Sequence, residues 1–105
     1  IHSWDMARFG YLWLRGGKWG DRQVLPPAFV NAAVSPSAHG PDYGYLWWLN
    51  TQGKNYPGLP NTAYGARGAG SNTITISPDH DLVVVWRWHR GNEAEFVTRV
   101  IAAIK

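Results

Sequence analysis

The chain has 105 residues, 45% of them hydrophobic, with ten basic and seven acidic side chains for a net charge of +3, and no cysteine. This length excludes two domains, and the missing thiols exclude disulfide frameworks, zinc-thiolate sites and cysteine nucleophiles. The outlying number is seven tryptophans beside five tyrosines and three phenylalanines, with only 16% charged residues, a heavy aromatic load for so small a surface. The first residue is Ile1 and no basic-then-apolar leader follows it. No apolar run approaches the ~20 residues of a membrane-spanning helix, so the expectation is a soluble piece of something longer.

The pI near 9.5 raises nucleic acid as a partner, but the ten Lys and Arg residues are spread along the chain without a basic block or stripe. Neither nucleic acid nor membrane is therefore expected as a partner. His2, His39, His80 and His89 stand too far apart for two imidazoles to share a metal at helical spacing, so no metal and no cofactor is expected.

In chain order, Ser3 is placed to cap a helix and Asp5 puts negative charge in its first turn. Trp4, Met6, Ala7, Phe9, Tyr11, Leu12, Trp13 and Leu14 supply apolar groups up to Gly16-Gly17. These cover nearly the whole circumference, so the helix expects neighbours on most sides. After a turn over 18–22, Pro26-Pro27 opens a second helix that Ser35-Pro36 stops. A polar loop over 37–42 precedes the aromatic run 43–49, which predicts a strand buried on both faces. Residues 50–60, rich in Gly, Pro and Asn, predict a loop.

Beyond a glycine-dense stretch over 63–71, Ile74 and Ile76 alternate with polar residues, predicting a strand over 72–77 with one covered face. Pro78-Asp79-His80-Asp81 turns into residues 82–88, the strongest strand pattern in the chain, and the two strands form a hairpin. Asn92 caps a last helix in which Phe96, Val97, Val100, Ile101 and Ile104 recur at three- and four-residue steps. Two helices, strands and a final helix predict an α+β fold, an antiparallel sheet of about three strands flanked by N-terminal and C-terminal helices.

Among motifs, the run Gly65-Ala66-Arg67-Gly68-Ala69-Gly70 carries the most information. A strand that begins with several glycines allows close approach to its backbone, and free N–H groups there can stabilise a developing oxyanion. A bulge or a bend at the strand start explains the same glycines. Arg67 reads either as an exposed surface charge or as a group that binds a carboxylate and shapes a pocket. No serine is followed three residues later by lysine and Ser71 is not in a G-x-S-x-G elbow, so no recognisable nucleophile is present. Asp79 and Asp81 fit a turn, and Glu93 and Glu95 fit the start of a helix.

Taken together, residues 1–10 with the helix ending in Gly16-Gly17, Leu25-Pro-Pro-Ala-Phe-Val30, Tyr43-Gly-Tyr-Leu-Trp-Trp48, Gly68-Ala-Gly-Ser-Asn72 and Pro78-Asp-His-Asp-Leu-Val-Val-Val85 resemble the C-terminal part of the class C β-lactamase-like serine hydrolases. That group includes esterases, penicillin-binding-protein-like hydrolases and 6-aminohexanoate-dimer hydrolases, and the resemblance spans nearly the whole chain. It implies that residues 1–105 are a single C-terminal segment of a larger β-lactamase/transpeptidase-like domain. The S-x-x-K serine and the tyrosine box that carry out acyl transfer would then lie upstream, in an N-terminal part that is this chain's partner. The third box, K-T-G in true β-lactamases, falls on Ala66-Arg67-Gly68, which implies an oxyanion N–H at Ala69 and a substrate wall at Arg67, Gly68 and Gly70. Because Ala66 and Arg67 replace lysine and threonine, the implied substrate is a small amide or ester rather than a β-lactam.

The same resemblance implies a sheet covered on both faces, one layer coming from the N-terminal part, with Trp47, Trp48, Trp86 and Trp88 packed between the layers. Alone, the chain is expected to be inactive and prone to self-association through its exposed sheet. Rival readings from the aromatic content are a carbohydrate-binding module, against which the helical ends weigh, and a protein-interaction module whose aromatic face binds a partner chain.

Overall fold

The computed structural model describes residues 2–68 and 70–104. The first helix, α1 (Ser3–Leu14), begins one residue after His2, whose side chain makes no capping bond; Asp5 pairs instead with Arg8 at 2.9 Å. It ends as the Gly16-Gly17 pair requires. The Gly17 N–H reaches back to the Leu12 carbonyl and the Gly16 N–H to that of Trp13, a glycine-dependent stop that satisfies two of the last carbonyls. The expected turn at 18–22 is a small hairpin of β1 (Lys18–Trp19) and β2 (Arg22–Gln23). Helix α2 (Pro27–Ala33) starts at the second proline as expected.

The aromatic run 43–49 does not form the continuous strand expected of it. Only β3 (Trp48–Leu49) is ladder. Tyr43 bridges back to Trp48, the Gly44 N–H donates to the Trp47 carbonyl, and Leu46 sits at φ 68° with its side chain exposed. The cause is contact with α2: the Tyr45 N–H donates to the Ala33 carbonyl at 2.9 Å, and a Cβ on Gly44 would overlap that same carbonyl group. Only glycine lets the chain turn this close to the helix end.

Strand β4 (Tyr64–Gly68) is added to the expected hairpin of β5 (Asn72–Ser77) and β6 (Leu82–Trp86), giving a four-stranded antiparallel sheet in the order β3-β4-β5-β6. The glycine-dense box thus closes one strand rather than opening the next. The fold is α+β, with antiparallel sheets of two and four strands and three α-helices.

Both faces of the large sheet are covered by this chain itself, which corrects the expectation of a layer from elsewhere. On one face Met6 and Trp13 of α1, Val30 and Ala33 of α2 and Trp47 pack on Leu49, Tyr64, Ile74 and Ile76. On the other, Tyr56, Leu59 and Ala63 join Ala94 and Val97 of α3 (Glu93–Ala103) over Leu82 and Val84. The polar face of β5 is therefore buried too: Thr73, Thr75 and Ser77 lie beneath this second layer, and the Thr73 hydroxyl donates to the Trp86 carbonyl at 3.2 Å. The first helix buries only Met6, Gly10 and Trp13, so its full apolar circumference is not enclosed. Helix α3 is capped as expected, the Asn92 side chain accepting from the Glu95 N–H at 3.0 Å.

At the β5–β6 turn, Arg15 grips Asp81 through two nitrogens, at 2.5 and 3.1 Å. The Arg15 hydrogen bonds hold the Asp81 carboxyl below the usual carboxylate range, and the same contact raises the Arg15 guanidinium. A carboxylate with a lowered folded pKa adds stability above its unfolded value of about 3.9, and that contribution disappears as pH falls through the folded value. Asp81→Asn is expected to flatten the acid limb of the stability curve below about pH 4 while leaving stability at the acid extreme unchanged. Urea melts across that range check this, and 1 M salt should mimic the variant because the pair is exposed.

Candidate active site

The chemistry of the glycine box depends on which way its main chain points. In β4 only Tyr64 and Gly65 are paired with β3, opposite Leu49 and Trp48. On its other side every residue from Tyr64 to Gly68 pairs with β5. Hydrogen-bonding direction alternates along a strand, and the Asn50 N–H donates to the Ala63 carbonyl. Odd-numbered residues of β4 therefore face β3, and the N–H and C=O of Arg67 face the edge beyond the end of β3. Ala69, the residue expected to supply the oxyanion donor, lies outside the described residues.

Three of the four expected site residues are described, and the structure brings them together at the end of β4. Arg67 is not a free surface charge. Its Nε donates to Glu93 Oε1 at 2.5 Å and its Nη2 to the Asn55 carbonyl at 2.9 Å. Its guanidinium lies over the Tyr56 ring at 4.8 Å and the Trp48 ring at 5.7 Å. It does bind a carboxylate, but that of the chain's own last helix, whose first residue Glu93 is only 12% exposed at its side chain. Burial, and then the Glu93 charge, pushes the Tyr56 hydroxyl above its ordinary range, so this phenol stays neutral at physiological pH.

Gly68 leaves open space, a Cβ there meeting nothing closer than the Asn72 carbonyl oxygen at 3.7 Å. Gly70 is different. At φ 77° it sits against the Trp88 indole, which a Cβ would overlap. Trp88 itself, at φ 54°, is pinned by its N–H to Asn72 Oδ1 at 3.0 Å and is 69% exposed. The expected burial of four tryptophans between two layers holds fully for Trp47 alone, and Trp86 is half-buried. Trp47 is in the first core, and Trp86 is stacked between His89 at 3.9 Å and Phe96 at 4.2 Å. Trp48 and Trp88 instead flank the end of β4. An open groove of about 450 Å³, lined by His39, Asp42, Tyr43 and Trp48, adjoins Arg67 through the Trp48 ring.

Glu93, Asn55 and Tyr56 escaped the sequence reading because their contacts with Arg67 are long-range. Glu93 carried only the signal of a helix start, which is consistent with its position but silent about its partner. Arg67→Ala is expected to lower stability by about 1 to 2 kcal/mol, discounted for the part-exposed guanidinium. In a double-mutant cycle with Glu93→Gln, the two losses should fall short of additive. Full additivity in urea melts would dissolve the proposed coupling.

No protein-family model matches the sequence, and no curated protein matches it. Five chains of known structure match it. One, described as a "putative 6-aminohexanoate-dimer hydrolase" from Bacillus anthracis, superposes with a TM-score of 0.65 at 25% identity. The match covers 95% of this chain and 27% of that one. The chain thus spans about a quarter of the length of the hydrolase it resembles, and its α+β architecture agrees with the β-lactamase-like fold expected from the sequence.

Proposed function

We propose that this chain forms the C-terminal portion of a serine hydrolase that opens a small amide or ester through an acyl-enzyme. In this reading it supplies the oxyanion-hole strand and one wall of the acyl pocket, while the nucleophile comes from an upstream portion. The observation that carries the reading is the half-open edge of β4: β3 ends opposite Gly65, and the main chain beyond it is left to face a ligand. The resemblance assigns the oxyanion donor to the residue that follows this open stretch, Ala69. Likeness to part of a 6-aminohexanoate-dimer hydrolase favours an amide among the acyl substrates. Because Arg67 is engaged by Glu93, it would shape the pocket and not capture a substrate carboxylate.

Ala69→Pro in a longer polypeptide carrying the S-x-x-K serine removes the main-chain N–H that would be the donor. Acylation by an activated ester should fall by roughly 10²-fold, and an unchanged acylation rate sinks the assignment. The 105-residue chain by itself should give no serine-dependent turnover of activated esters or amides; turnover would contradict this division of labour.

A further inference from the structure

The last residues of β4 are ladder-bonded on one side only, and a strand end with one free edge is where fraying begins. At this end the Arg67 side chain is anchored on the sheet face that α3 covers. Its guanidinium is held by Glu93, the first residue of α3, and by the Asn55 carbonyl. It also rests on the ring of Tyr56, which is fully buried and seated by the bond from its N–H to Asn50 Oδ1 at 2.8 Å. Gly65 serves the same arrangement, because a Cβ there would overlap the Tyr56 hydroxyl. Three segments distant in sequence converge on one guanidinium, and all belong to this chain.

Breaking this ion pair costs stability, but stability alone does not explain its presence. Glu93 Oε2 and the Tyr56 hydroxyl are buried and have no hydrogen-bond partner among the described residues, and polar groups enclosed in that state cost free energy. A buried ion pair can often be exchanged for apolar side chains of similar volume without loss of stability. Apolar side chains cannot reproduce direction: two hydrogen bonds from the rigid fork of an arginine fix where its main chain stands.

We infer that Glu93 is a positioning residue for the end of β4: by fixing Arg67 from the α3 side it takes the place of pairing with β3 and leaves the outward N–H and C=O of Arg67 uncovered. A strand end that is both fixed and open is what preorganised main-chain dipoles require. The catalytic purpose of this clamp rests on the acyl-enzyme reading proposed above, whereas the clamp itself does not. Glu93 touches no reacting atom and acts through Arg67.

Amide hydrogen exchange in the 105-residue chain tests the clamp. The N–H groups of Ala66 and Gly68 both face β5. Glu93→Met removes the acceptor of Arg67 and is expected to speed exchange at Gly68 roughly tenfold more than at Ala66, because a loosened strand end opens without global unfolding. Equal acceleration at the two amides, or none at Gly68, overturns the clamp. In the longer polypeptide carrying the S-x-x-K serine, Glu93→Met should lower the saturating acylation rate roughly tenfold and leave the half-saturating ester concentration unchanged. Adding Arg67→Met should restore in urea melts the stability lost by Glu93→Met, but not the rate. A rate that returns together with stability shows a merely structural pair and overturns the positioning role. So does an unchanged rate for Glu93→Met where Ala69→Pro is slow. If Ala69→Pro is not slow either, the acyl-enzyme reading falls and takes the catalytic purpose with it, while exchange at Gly68 still decides the clamp.

Discussion

Replacing Asn50 with alanine is expected to destabilise the protein by about 3 to 4 kcal/mol, although Asn50 lies in a loop and touches no proposed ligand. Its side chain is fully buried. The amide nitrogen donates to the carbonyls of Tyr56, Leu59 and Pro60 at 2.9, 3.1 and 3.1 Å, and the amide oxygen accepts the Tyr56 N–H at 2.8 Å. One side chain thus stands in for the secondary structure that the segment between β3 and β4 lacks. Alanine would leave the Leu59 carbonyl and the Tyr56 N–H without their partner, each a desolvation cost of about 1 kcal/mol or more, and would strip a second donor from the Tyr56 and Pro60 carbonyls, which keep only the Leu59 and Ala63 N–H groups. Asn50→Asp should be no better, since a carboxylate cannot donate. Chemical denaturation measures the loss, and a value below about 1 kcal/mol would mean the loop does not depend on this residue. The effect should also reach Arg67, because Tyr56 beneath its guanidinium is seated by the same bonds.

Trp47→Ala should be comparably severe, at about 3 to 5 kcal/mol, the range for emptying a large aromatic from a packed core. The Trp47 ring centroid lies 5.1 Å from both Trp13 and Tyr64 and 6.1 Å from Phe9, so α1 and β4 meet at it. Trp4→Ala is the control: at 74% exposure it should change stability by no more than about 0.5 kcal/mol. Urea melts with unchanged slopes would allow the two midpoints to be compared directly. Equal losses would show that the aromatic load is not divided between core and surface as the structure has it.

The elements legible in the sequence are those whose signals are local. Asn92 announced α3 because a cap and an apolar spacing of three and four lie within one segment. The hairpin of β5 and β6 was legible because β-branched runs flank a proline-aspartate turn. Strand β4 was not, because Tyr-Gly-Ala-Arg-Gly has neither β-branching nor alternation and is held in place by β5 and the buried Tyr56. The run 43–49 misled for the opposite reason: its composition is that of a strand, but a contact with α2 breaks it at Gly44. Of the candidate site, Arg67, Gly68 and Gly70 entered through the resemblance alone. The engagement of Arg67 by Glu93, 26 residues later in the chain, was not, since nothing near either residue encodes the other.

The exposed Leu46 has a significance beyond its own turn. Continuing the register of Trp48 with Gly65 and Leu49 with Tyr64 by two residues would set position 46 across from Arg67. The left-handed kink at Leu46 swings away the very residue that would otherwise zip the remainder of β4 shut. A redesign that straightened Tyr45, Leu46 and Trp47 into regular strand would add ladder hydrogen bonds and, with them, convert the open margin of the sheet into ordinary interior. The irregularity of one turn is thus the gatepost of the groove, set well upstream of the glycines at the end of β4.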